Sequence, residues 1–175
     1  CFYGSSDNDA FAIPEAPSVK YDCFYYTNNK DILKLIKNSA WIGIYDDVQT
    51  TDDSIESPMA SATVRIKPSE YKELRNYDYT CFLDSKLQKV NEFFIEELIT
   101  KYFIDQNYIM LTREHWCISG NVWEEAYESM FQPRYYWQCQ AFFDYMKNQI
   151  SKGFSPITEK HHATGLLVKN MKHER

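Results

Sequence analysis

The sequence predicts an α/β fold, a sheet covered by helices, on two observations. Short runs rich in Tyr, Phe, Val and Ile alternate with stretches whose apolar residues recur at helical spacing along most of the 175 residues. No internal repeat, low-complexity tract or long linker divides them, so one domain over residues 1–175 is expected. The chain opens inside a strand-like run without a Met, which reads as part of a longer protein.

Residues 1–3 read as a strand running into the polar turn 4–9, and residues 21–27 (YDCFYYT) as a buried strand closed by Asn28 and Asn29. Residues 30–38 place Ile32, Leu33, Leu35 and Ile36 on a helical stripe behind Asp31. A strand follows at 41–45 (WIGIY), then an acidic loop over 46–58. Residues 62–67 carry no clear period, and Pro68 suits the first turn of a helix reaching Leu74. Residues 79–83 (YTCFL) form the strongest strand signal, and 88–103 an amphipathic helix. A strand at 108–112, helices over 123–130 and 135–151, and a short strand at 166–168 complete the reading.

Composition narrows the function. Hydrophobic residues at 44% and charged residues at 25% are those of a folded globular chain. A net charge of −6 with no run of Lys or Arg argues against a polynucleotide partner, while a small phosphorylated ligand needs only a few local cations. Fourteen Tyr, eleven Phe and four Trp supply core and half-buried strand positions, and a few of them suit a pocket that stacks a base or sugar ring. Five cysteines without a C-x-x-C pair favour neither a zinc site nor a disulfide framework, and point to a reducing, cytoplasmic setting. No apolar run approaches the ~18 residues of a membrane span.

Four constellations carry candidate chemistry. The 79–83 strand delivers Asp84 at its carboxyl end, where ligands of open α/β sheets bind and where a hard divalent cation finds an oxygen donor; a turn-forming Asp is the plainer reading. His161, His162, Gly165 and Lys169 combine possible metal ligands, a close-approach glycine and a phosphate-neutralising cation, against the alternative of a polar loop before an edge strand. His115 and Trp116 could line an acceptor side, and Glu124 or Glu125 could act as a base, although acidic residues also suit a helix start. Tyr3, Gly4 and Ser5 leave a strand where a nucleotide could meet it.

In their order, these pieces resemble GT-A nucleotide-sugar glycosyltransferases. The strand at 21–27 followed by Asn28 is similar to their second strand. Residues 65–86, with Arg65, a Tyr77-Asp78-Tyr79 run and an apolar strand, resemble the stretch that leads to their metal motif. His162 with Gly165 and Lys169 looks like the metal-binding His and phosphate-binding Lys of retaining members. The whole chain is most similar to the chlorella-virus members that build capsid glycans.

The resemblance implies a mostly parallel mixed central sheet flanked by helices. It also implies a UDP-sugar donor such as UDP-rhamnose or UDP-glucose, a glycan acceptor and a Mn2+ or Mg2+ ion. Asp84 with His161 or His162 would hold the metal. Tyr3, Gly4, Ser5, Thr27, Arg65, Lys86, Gly165 and Lys169 would hold the donor, and Glu124 or Glu125 would face the reacting sugar. The metal motif reads Asp84-Ser85-Lys86 here, without the second carboxylate of Asp-x-Asp. Two rivals come from other classes. One is a non-catalytic carbohydrate-binding module on the aromatic surface. The other is a metal-dependent hydrolase built on Asp46 and Asp47 or Asp52 and Asp53.

Overall fold

The computed structural model describes residues 1–7, 11–16, 20–50, 56–84, 93–115, 122–133, 135–155, 157 and 162–173. The chain forms two compact units, Cys1–Leu111 with Gly165–Arg175, and Thr112–Thr164.

The first unit is organised by a βαβ element. Strand β1 (Cys23–Thr27) and strand β2 (Trp41–Tyr45) pair in parallel, Cys23 opposite Trp41 and Thr27 opposite Tyr45, and helix α1 (Lys30–Ile36) connects them. A strand covered on both faces reads as a continuous apolar run, and β1 does so. Tyr26 packs with Tyr3 and Val64 on one face, and Tyr25 with Ile32 and Ile36 on the other. The polar tips of the aromatics tie down the preceding segment: Trp41 Nε1 donates to the Pro14 carbonyl at 2.7 Å and Tyr25 Oη to that of Ala12 at 3.3 Å. Helix α1 starts at Asn29, whose Oδ1 accepts from the amides of Asp31 (2.8 Å) and Ile32 (3.4 Å). It lies so close to β2 that a Cβ on Gly43 would stand 2.8 Å from Leu33 Cδ2, and that side-chain tip would have to turn aside.

After β2, helix α2 (Glu56–Ile66) occupies part of the span expected to be an acidic loop and the ambiguous 62–67 stretch. Its small residues Ala60, Ser61 and Ala62 leave only Val64 fully buried, so the apolar stripe that marks a helix in sequence is faint. Pro68 begins a single 3-10 turn, Pro68–Glu70, in place of the longer helix expected to Leu74. Strand β3 (Tyr79–Leu83) follows, then helix α3 (Phe94–Leu98), which widens into a π-helical stretch, Ile99–Ile104. Strand β4 (Met110–Glu114) is followed by helix α4 (Val122–Met130) and helix α5 (Cys139–Ser151) of the second unit. The last strand is β5 (His162–Asn170), longer than the three apolar residues that signalled it.

The expected mostly parallel central sheet of the GT-A type is not what this chain forms. Strands β1 and β2 make a two-stranded parallel sheet, and β3, β5 and β4 make a separate one with β5 in the middle. Strand β3 runs antiparallel to β5, Tyr79 opposite Asn170 and Leu83 opposite Leu166. The physical reason is partner choice. Leu167, Val168 and Asn170 of the late strand are buried, and Met171 donates its amide to the Asp78 carbonyl at 2.8 Å, which fixes β3 beside the chain's end and not beside β1 or β2. Among the described residues no helix is long and apolar enough to cross a membrane.

Candidate functional site

In parallel βαβ units the loops after the strands gather at their carboxyl ends, and ligands bind there. In the first unit that edge is held by two adjacent asparagines. Asn28 Oδ1 accepts from the Gly4 amide at 2.9 Å, and its Nδ2 donates to the Val48 carbonyl (2.9 Å) and to Thr50 Oγ1 (2.8 Å). Asn29 Nδ2 donates to the Gly4 carbonyl at 3.0 Å while its Oδ1 caps α1. The segment through Gly4, the end of β1 and the chain after β2 are thus sewn together by side chains. Gly4 has φ 108°, a conformation that other residues adopt only under strain. Around this clasp opens a polar cleft of about 570 Å³, lined by Gly4, Ser5, Asn28, Asn29, Lys30, Tyr45 and Thr50. The Lys30 ammonium stands 5.3 Å from the centroid of the Tyr45 ring, which is 43% exposed and so presents an aromatic face beside a cation.

Of the residues that the sequence assigns to donor binding here, Gly4 and Ser5 line the cleft. Tyr3 and Thr27 lie beneath it. Tyr3 is buried and its hydroxyl donates to Asp46 Oδ2 at 2.7 Å; burial, then the bond to Asp46, pushes its ionisation far above the ordinary tyrosine range. Thr27 is fully buried, its Oγ1 accepts from the Asn29 amide at 3.1 Å, and its carbonyl accepts from Asp46 at 2.9 Å. Both side chains support the loops around the cleft.

A second group lies where β3 and α2 end beside β5. The Asp84 amide donates to the Gly165 carbonyl at 2.7 Å, and the Asp84 carboxylate draws the Arg65 guanidinium, whose pKa burial otherwise lowers. Lys169 Nζ donates to the Ile66 carbonyl at 2.5 Å, a cation at a helix carboxyl terminus. A Cβ on Gly165 would meet Asp84 Cβ at 3.6 Å, an ordinary contact, so this glycine is not demanded by crowding.

His162, His115, Glu124 and Glu125 belong to the second unit. His162 Nδ1 lies 2.7 Å from Thr112 Oγ1, so ligation by this imidazole would fall to Nε2. His115 is partly buried, and on α4 Glu124 is exposed and Glu125 partly buried. Lys86, Trp116 and His161 lie outside the described residues.

The implied metal finds little support in this donor set. Among the described residues no three His, Cys, Asp or Glu side chains gather as metal ligands do, and Asp84 faces a guanidinium. Mg2+ and Mn2+ take oxygen-rich shells, so an ion here would need oxygen donors beyond Asp84.

No family model, curated protein or solved structure matches this chain. The site therefore has to be read from its own chemistry.

Sequence reasoning passed over Asn28, Asn29, Lys30, Tyr45 and Thr50 as a strand end, a helix start and a loop. A signal was present: Asn-Asn directly after an apolar strand and before Lys-Asp is a helix N-cap placed at a strand's carboxyl end.

Proposed function

We propose that this chain is a sugar-nucleotide-dependent transferase whose polar cleft at the carboxyl ends of β1 and β2 receives the nucleoside diphosphate of a UDP-sugar. The observation that carries the reading is the pairing of Lys30 with the half-exposed Tyr45 ring at the rim of a cleft floored by Gly4 and Asn28. A flat base stacks on Tyr45, and Lys30 leaves the ring to meet phosphate oxygens. Ser5 and Thr50 offer hydroxyls to ribose or phosphate. The cation offsets charge that builds on the departing diphosphate, the term that dominates such transfers. A glycan hydroxyl is the acceptor. The reading rests on the cleft and not on fold, since the GT-A sheet is absent.

The deciding experiment is a thermal-shift panel of UDP, UDP-glucose, UMP and uridine, with and without Mn2+. Binding at a hundred times Kd stabilises by about 2.7 kcal/mol, a clear rise in melting temperature. No rise with any nucleotide refutes the proposal.

A second reading has its own observation. In the second unit Trp137 is 87% exposed and stands edge-on to the exposed Tyr136 with centroids 5.2 Å apart, an aromatic surface of the kind that stacks sugar rings. A non-catalytic carbohydrate-binding module would be stabilised by oligosaccharides and unaffected by nucleotides.

A further inference from the structure

A cavity of about 390 Å³ lies within the first unit, well inside the range of roughly 300–1,000 Å³ in which small-molecule sites fall. It shares no lining residue with the polar cleft. Its wall is hydrocarbon and aromatic: Phe24 from β1, Val64 from α2, Cys81 and Phe82 from β3, and Leu167 and Val168 from β5. The Cys81 thiol reports the surroundings, since burial pushes it up to about 12.

Three charged side chains interrupt this wall: Asp22 accepts from the Tyr77 hydroxyl and Asp78 pairs with Lys172 at 3.2 Å, which leaves Arg65 as the cation. Arg65 lines the cavity with its guanidinium carbon 5.1 Å from the Phe82 ring centroid, and its Nε is buried without a hydrogen-bond partner among the described residues. Asp84 attracts the guanidinium but does not satisfy that N–H. A buried donor left unpaired on a charged group is costly, so the site favours an acceptor beside it, and the mostly apolar wall favours hydrocarbon. An oxygen acceptor attached to a hydrocarbon body answers both conditions.

We propose that this cavity binds a single-chain amphiphile, its hydrocarbon body between the β1 and β3/β5 walls and its anionic oxygen head on Arg65. A carboxylate and a phosphate monoester share this chemistry. The proposal stands on the cavity and is independent of the nucleotide reading.

The test is calorimetry on the intact chain with dodecanoate, dodecyl phosphate and dodecanol, each below its micelle concentration. Both anions, or one of them, bind at one per chain, and dodecanol binds roughly tenfold more weakly, the fold-change of one charge-assisted hydrogen bond. The tighter anion identifies the head group. Arg65→Met weakens the anions by a similar factor and leaves dodecanol unchanged. Val64→Phe fills the cavity and weakens all three; where that variant fails to fold, Arg65→Met decides alone. Absence of binding by either anion, dodecanol equal to the anions, or Arg65→Met indistinguishable from the parent overturns the proposal.

Discussion

The Gly4 amide donates to Oδ1 of Asn28 at 2.9 Å across 24 residues of sequence, and this bond joins the segment before β1 to the turn after it. The same Asn28 side chain reaches Val48 and Thr50 through its Nδ2, so one amide group holds three loops. Replacing Asn28 by Ala removes three bonds at a partly buried position. At roughly 0.5–1.5 kcal/mol each, Asn28→Ala should cost about 2–4 kcal/mol. Urea unfolding should show a lower midpoint at unchanged slope. A loss below about 0.5 kcal/mol would place the clasp among ordinary surface contacts.

Two glycines that the sequence offers as donor-binding positions should behave in opposite ways. Gly4, at φ 108°, sits in backbone space that a side chain enters at a cost of about 1–3 kcal/mol. Gly165 lies in β5 with only an ordinary contact waiting for a Cβ. Gly4→Ala should therefore lower the melting temperature, while Gly165→Ala should leave it unchanged or raise it slightly by restricting the unfolded chain. Equal losses in the two variants would contradict this account.

The local order was legible because β1, α1, β2 and β3 each carry a strong period of their own. Residues 41–45 and 79–83 were read as the strands that form, and the helix after Asn29 begins at Lys30 as expected. Sheet partnership was not legible. Nothing in Tyr79–Leu83 states that its neighbour is Leu166–Asn170, more than eighty residues on and antiparallel, since strand pairing is decided by which faces remain to be covered. The site was half visible for a related reason. Gly4 and Ser5 follow a strand-like run and drew attention, whereas Lys30 and Tyr45 each had an adequate local explanation and become a pair only when β1 and β2 lie side by side.

Stability should decline at alkaline pH because several tyrosines hold their protons more tightly in the folded chain. Burial raises Tyr25 to about 12, hydrogen bonding to Asp22 raises Tyr77 to about 12, and burial drives Tyr3 and Tyr26 upward as well. An unfolded tyrosine ionises near ~10, so above that pH the folded state binds more protons than the unfolded one. Their contribution is complete below ~10 and is lost as pH climbs through 12. Melting temperature should hold steady from pH 8 to 9.5 and fall beyond ~10. Tyr3→Phe, which loses the bond to Asp46, should melt lower than the parent at neutral pH yet fall less steeply above ~10. A melting temperature flat to pH 11.5 would refute the tyrosine account.

The nucleotide reading makes a sharper demand on Lys30 than on any other residue of the cleft. Its charge rests on an exposed aromatic ring, worth about 0.5–1 kcal/mol at a surface site, so Lys30→Met should leave the unliganded protein within about that range of the parent. A phosphate oxygen bound to the same ammonium is a charge-assisted contact of about 1.5–3 kcal/mol. The substitution should therefore weaken UDP by roughly tenfold or more while leaving uridine, which has no phosphate, nearly untouched. Calorimetric titration of the two ligands into both proteins separates these cases. Should uridine and UDP weaken together, Lys30 serves the base or the loop and not the diphosphate, and the assignment of the cation at this cleft fails.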